Sequence, residues 1–129
     1  MCDFKYKSVL LIDDNYIDNI INTMLIEANH FADKITIINV PLDAIEYLSL
    51  CAQTNTLPDI IFLDIRMPGI DGFQFLKRLE PIKHYFPASL KIYMLTSSFD
   101  PRDLKEIKEN KLITNFIGKP LTSEALEEI

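Results

Sequence analysis

Short apolar runs alternate along this chain with stretches in which hydrophobic residues return every three or four positions, the rhythm of repeated strand-helix units. Val9-Leu10-Leu11-Ile12 stops at Asp13-Asp14, as a strand buried on both faces does. Ile17, Ile20, Ile21, Met24, Leu25 and Ala28 then recur at helical spacing, with Asp14 or Asn15 available as the N-cap. Ile35 to Ile38 reads as a second, β-branched strand, and Pro41 opens a helix through Ala44, Ile45 and Leu48. Ile60-Ile61-Phe62-Leu63 runs into Asp64. Met67-Pro68-Gly69 and Asp71-Gly72 then form a turn before a helix carrying Phe73, Leu76 and Leu79. Pro81 and Pro87 bracket an irregular connection. Ile92-Tyr93-Met94-Leu95 is a fourth strand ending at Thr96, and Asp100-Pro101 caps a highly charged helix reaching about Asn110. Ile113 to Ile117 is the fifth strand, closed by Gly118-Lys119-Pro120. Residues from Thr122 to Ile129 start a fifth helix of roughly two turns, as though trimmed at its C-terminus.

Five units of this size predict an α/β fold, a doubly wound five-stranded parallel sheet. The strand order usual for that class is 2-1-3-4-5, taken over from the class rather than derived from this chain. Such sheets bind ligands outside the carboxyl ends of their strands where the order reverses, here between the first and third.

Length narrows the reading to one module, because 129 residues fit a single core, here 1–129, and leave little room for a second. With 48% hydrophobic and 25% charged residues, the chain has the balance of a folded globular domain. A formal charge of -6 without any cluster of Lys and Arg gives no electrostatic footing for direct contact with nucleic acid or a membrane surface. The apolar runs are too short for a spanning helix or a signal-peptide core. Cys2 and Cys51 show no metal-type or redox-type spacing, so a reducing cytoplasm is the simpler setting.

Polar residues gather where the strands end. The first strand ends in Asp13-Asp14, the third in Asp64, the fourth in Thr96-Ser97 and the fifth in Lys119, while the second, expected at the sheet edge, contributes no charge. Three carboxylates within about 5 Å at an effective dielectric near 20 repel by roughly 3 kcal/mol per pair. Proton uptake, Lys119 or a divalent cation can relieve that repulsion, and all-oxygen ligation favours a hard ion such as Mg²⁺. A carboxylate and Mg²⁺ site beside a lysine suits a phosphoryl group, since metal and ammonium neutralise its oxygens while one carboxylate attacks phosphorus.

Taken singly, each of these residues has an ordinary structural use. Asp13 and Asp14 can cap the first helix, Lys119 can be a solvated surface lysine, Thr96 a β-former and Phe116 a core residue. Asp71-Gly72 and Pro68-Gly69 are read as turn residues without chemistry. His30 and His84 stand outside every motif and are read as surface or loop residues. Arg102-Asp103 to Lys108-Glu109 is a solvated helix face whose local ion pairs are worth a few tenths of a kcal/mol each.

Together, Leu11-Ile12-Asp13-Asp14, Leu63-Asp64-Ile65-Arg66-Met67-Pro68-Gly69-Ile70-Asp71-Gly72, Met94-Leu95-Thr96-Ser97 and Phe116-Ile117-Gly118-Lys119-Pro120, in this order and spacing, resemble the receiver domain of two-component response regulators. The resemblance covers essentially the whole chain and implies a flavodoxin-like (βα)5 fold. It implies that Asp64 is the phosphoacceptor. Asp14 and Asp64 would ligate Mg²⁺ through their side chains, Asp13 through water, and Arg66 through its main-chain carbonyl. Lys119 would pair with the acyl phosphate, Thr96 would move to bond a phosphoryl oxygen, and Phe116 would turn inward as the switch. The Lys119-Pro120 peptide is often cis in that family. The helix from Pro101 to Asn110, anchored clearly only by Leu104 and Ile107, and the fifth strand would form the signalling face.

The implied function is a phosphoacceptor switch that is not an enzyme beyond catalysing its own phosphotransfer and autodephosphorylation. Its partners would be a histidine kinase or phosphotransfer protein and a downstream protein target, with the module a monomer or a phosphorylation-dependent dimer. No output module fits in the chain. Tyr16, Asp18 and Asn19, taken as exposed on the first helix, would help select the kinase. Arg66 and Ser98 hold positions that tune phosphoryl lifetime in the family; a cationic Arg66 can screen the attacking water or bind the phosphoryl group. The alternative is a receiver-like interaction module that works without phosphorylation. A phosphatase with an Asp nucleophile is disfavoured, because Arg66 stands where such enzymes carry a general acid.

Overall fold

The computed structural model describes residues 3–97 and 99–129, so Cys2 and Ser98 lie outside the described residues. Its elements are β1 (Tyr6–Ile12), α1 (Tyr16–Ala28), β2 (Ala32–Ile38), α2 (Pro41–Thr54), β3 (Ile60–Asp64), α3 (Gly72–Arg78), β4 (Lys91–Thr96), α4 (Pro101–Glu109), β5 (Asn115–Gly118) and α5 (Ser123–Glu128). The strands form one parallel sheet in the order β2-β1-β3-β4-β5, the expected flavodoxin-like topology. No helix among the described residues is long and apolar enough to cross a membrane.

Strand side chains point alternately to the two faces, and each face has its own core. Leu10, Ile12, Ile61, Leu63, Ile92 and Met94 pack with Leu48 of α2, Phe75 of α3 and Ile107 of α4. Val9, Leu11, Ile60, Phe62, Tyr93 and Leu95 pack with Ile26 of α1 and Leu126 of α5. Two-sided burial is why β1, β3 and β4 read as unbroken apolar runs.

Register carries the strand ends to one place. Ile12 pairs with Leu63, so Asp13 and Asp64 follow at the same level; Asp64 pairs with Leu95, and Thr96 pairs with Gly118, the residue before Lys119. The start of α3 closes tightly on β3, because a Cβ at Gly72 would lie 2.8 Å from the Asp64 carbonyl oxygen. Only glycine permits that approach. Asp71, read from sequence as a turn residue, is also the N-cap of α3 in a reciprocal capping box with Gln74.

Several boundaries differ from the sequence reading. β1 and β2 begin earlier, at Tyr6 and Ala32, since strand pairing carries through Lys7, Ser8, Asp33 and Lys34, whose polarity hides it. β5 begins at Asn115 rather than Ile113: the chain turns there, with the Ile113 N–H donating to the Asn110 carbonyl, and Ile113 drops into the core. The connection between Pro81 and Pro87 contains a 3₁₀ turn, Glu80–Tyr85.

The largest difference is the face that α1 buries. Its apolar stripe points outward, with Ile17 and Met24 each 65% exposed and Ile20 and Ile21 also in solvent, while Asn19, Asn22 and Ile26 are buried. Helical spacing shows that a stripe exists; it does not show which stripe meets the sheet.

Candidate functional site

The carboxyl ends of β1, β3 and β5 open into a cleft of about 560 Å³, lined by Asp14, Asp18, Asp64, Arg66 and Lys119 among others. Asp13 is 1% exposed and Asp64 6%, whereas Asp14 stands in solvent at the mouth. Carboxylate oxygens of all three lie within 4.8 Å of one another. A lysine completes the group: its Nζ is 3.1 Å from Asp13 Oδ2, 3.1 Å from Asp18 Oδ2 and 3.3 Å from Asp64 Oδ1.

The β1–α1 loop is braced from within. The Asn15 N–H donates to Asp13 Oδ1 (2.9 Å), Asn15 Oδ1 accepts from the Asp18 N–H (3.0 Å), and the Asn19 side-chain amide donates to the Asp13 carbonyl (2.9 Å). Of the two N-cap candidates, Asn15 is therefore the one used, leaving the Asp14 side chain out of that task. Asn19, expected on the exposed face, is buried against the loop; Tyr16 is exposed as expected. Lys119 is tethered by its backbone N–H to the Thr96 carbonyl (2.7 Å), and the Lys119-Pro120 peptide is cis.

Electrostatics follow the crowding. Burial, then the neighbouring Asp13 charge, pushes the Asp64 carboxyl up to about 6 against the opposing pull of Lys119. Burial works against the Lys119 charge, but hydrogen bonds to Asp18 and Asp13 and the Asp64 and Asp13 charges outweigh it, so the ammonium holds its proton above the ordinary lysine range. One ammonium thus fails to balance the buried acids. That deficit, with an all-oxygen donor set in close reach, fits a hard divalent cation held by Asp13, Asp14 and Asp64.

Thr96 is buried at the end of β4, and Phe116 is half-buried on β5, its ring edge-on to Phe99 at 6.0 Å. Gly118 makes room there: a Cβ would come within 3.0 Å of Phe99 Cζ. His30 and His84 are exposed and away from the cleft, as read from sequence.

One sequence expectation fails on α4. Its Arg102 to Glu109 stretch is not uniformly solvated, because Asp103 is 9% exposed and accepts a 2.5 Å ion pair from the Arg66 guanidinium across 37 residues. Arg102 pairs locally, with Asp100. The contacts that sequence reasoning missed are Asp103 to Arg66, Asp18 to Lys119 and Asn19 to the Asp13 carbonyl. Asp18 alone carried a signal, as an acid in the first helical turn after an acidic strand end.

A family model described as the response regulator receiver domain matches residues 9–129. The chain belongs to the response regulator receiver family. This receiver is 34% identical to a two-component response regulator from Cytophaga hutchinsonii whose crystal structure superposes with a TM-score of 0.87, over 96% of this chain and 93% of that one. It is 26% identical over 120 residues to the probable methanogenesis regulatory protein FilR2 of Methanothrix harundinacea, covering 92% of this chain and 76% of that protein. Sporulation initiation phosphotransferase F of Bacillus subtilis is 28% identical over 75 residues, 58% of this chain and 56% of its own. The receiver spans less than half the length of other curated relatives that it matches, at 45% and 24% of two of them. Receivers are signalling modules of two-component systems, and the acidic cluster described above is one that could hold a metal ion.

Proposed function

We propose that this receiver is a phosphorylation switch in which Asp64 takes a phosphoryl group from the phosphohistidine of a histidine kinase or phosphotransfer protein. The observation that carries the reading is a buried Asp64 carboxylate at the floor of an open cleft, with Asp13, Asp14 and the Lys119 ammonium gathered around it. An Asp64 oxygen attacks phosphorus, the P–N bond breaks, and its electron pair returns to the imidazole ring. Lys119 meets the phosphoryl oxygens with positive charge. Mg²⁺ held by the three aspartates and the Arg66 carbonyl would neutralise those oxygens further.

Thr96 and Phe116 relay the event, the first by bonding a phosphoryl oxygen and the second by turning away from Phe99 into the space Thr96 leaves. The downstream target reads α4 and β5. The phosphodonor approaches over α1, whose exposed Ile17, Ile20, Ile21 and Met24 form an apolar surface that reaches the rim of the cleft at Ile21, beside Asp18. The module remains a monomer or pairs with a second copy once phosphorylated, and autodephosphorylation resets it.

Acetyl phosphate with Mg²⁺ tests the assignment: mass spectrometry is expected to show one added phosphoryl group, absent without the metal and absent in Asp64→Asn. Undiminished labelling of Asp64→Asn removes Asp64 as acceptor. No labelling of the wild type, with NMR spectra indifferent to Mg²⁺, favours an interaction module that works without phosphorylation.

A further inference from the structure

An ammonium has three N–H donors, and around Lys119 two are accepted by Asp13 Oδ2 and Asp18 Oδ2, each at 3.1 Å, while Asp64 Oδ1 forms an ion pair with the same nitrogen at 3.3 Å. Under the function proposed above, on which this inference rests, only Asp64 changes during the reaction. Asp13 and Asp18 are also set relative to each other, because Asn15 bridges them, donating to Asp13 Oδ1 and accepting from the Asp18 N–H. The lysine main chain is held separately, by its N–H on the Thr96 carbonyl.

We propose that Asp18 is a positioning residue for phosphoryl transfer: with Asp13 it occupies two of the three Lys119 N–H groups and thereby aims the third at the Asp64 carboxylate, where the phosphoryl group arrives. Four methylenes separate the ammonium from its backbone, so a single buried anchor leaves it free to pivot about that contact. A second anchor from another element removes the freedom before the donor binds, which is the preorganisation that makes a charge effective in catalysis. Asp18 is well placed for this because it lies in the first turn of α1, half-exposed and lining the cleft.

An acid in that turn also favours the helix N-terminus, a role that needs no contact with Lys119. The two roles separate in the full chain carrying Asp18→Asn, Asp18→Ala and Asp18→Glu. In metal-free protein, the ¹⁵N-detected Lys119 ammonium signal is expected to shift and exchange faster with water in the Asn and Ala variants, and to recover in the Glu variant. With Mg²⁺ and acetyl phosphate, the maximal labelling rate of Asp18→Ala is expected to fall roughly three- to tenfold, with the half-saturating donor concentration little changed. Asp18→Glu recovers most of the rate. A Lys119 signal indifferent to Asp18 overturns the inference whichever way labelling comes out. A changed half-saturating concentration at constant maximal rate overturns it too, showing Asp18 to be only a charge that the donor meets. Failure of the wild type to accept label strikes the proposed function instead, while the ammonium signal still reports the contact itself.

Discussion

Helices α1 and α4 pack on opposite faces of the sheet, and they are tied to the cleft differently. α1 turns amides inward: Asn19 holds the Asp13 carbonyl, and a fully buried Ile26 seats the helix in its core. α4 has nine residues and seats Ile107 fully and Leu104 partly, with a tie to the cleft running from Asp103 to Arg66, whose side chain is 60% exposed. A neutral hydrogen bond in a dry setting is costly to break, whereas an ion pair with one partner in water is cheap. α1 is therefore the fixed wall beside the acids and α4 the wall that can move, a division that suits the switch proposed above.

The comparison sharpens most with the buried charge beside the fixed wall. Burial and the Asp13 charge push the Asp64 carboxyl up from 3.8 to about 6 in the folded state, so between those values the folded protein binds more protons than the unfolded. Stability of metal-free protein is expected to fall as pH rises through that window, by on the order of 1–3 kcal/mol, with the loss complete above it. Urea titrations at several pH values measure the slope. Mg²⁺ should abolish it, and Asp64→Asn should flatten it. A slope that survives both places the strain elsewhere.

Next in size is the tie of the fixed wall. Asn19→Ala is expected to cost about 1–2 kcal/mol by urea denaturation at unchanged m-value, because the buried Asp13 carbonyl loses its donor. It should also weaken Mg²⁺ binding by NMR titration as the acidic loop slackens. A variant as stable as wild type, with unaltered metal affinity, makes α1 no more fixed than α4. The smallest effect belongs to the movable wall: Asp103→Ala is expected to cost under about 1 kcal/mol, since Arg66 is free to hydrate. Amide exchange should quicken across α4 and stay unchanged in α1. Equal quickening in both helices erases the distinction drawn between them.

Much of the site was readable before folding was considered. Asp13, Asp14, Asp64, Thr96 and Lys119 each terminate or follow an apolar run, and parallel pairing in this order brings such ends to one edge whatever the details of packing. α1 shows where that reading stops. Its strongest periodic signal, through Ile17, Ile20, Ile21 and Met24, marks the face left in solvent, and Asn19 and Asn22 between them are buried. Asp103 shows the same limit, since nothing local distinguishes it from the other acids of a charged helix.

What the amino-acid order determined alone is whatever depends on neighbours along the chain: the apolar runs, the residues that interrupt them, the caps and the turns. Which side of α1 meets the sheet, which acids surround Lys119 and which residue answers Arg66 were decided only by tertiary structure. These depend on groups tens of residues apart, and the energies that select them, a shared ammonium or a desolvated carbonyl, exist only once burial has removed water from between the partners.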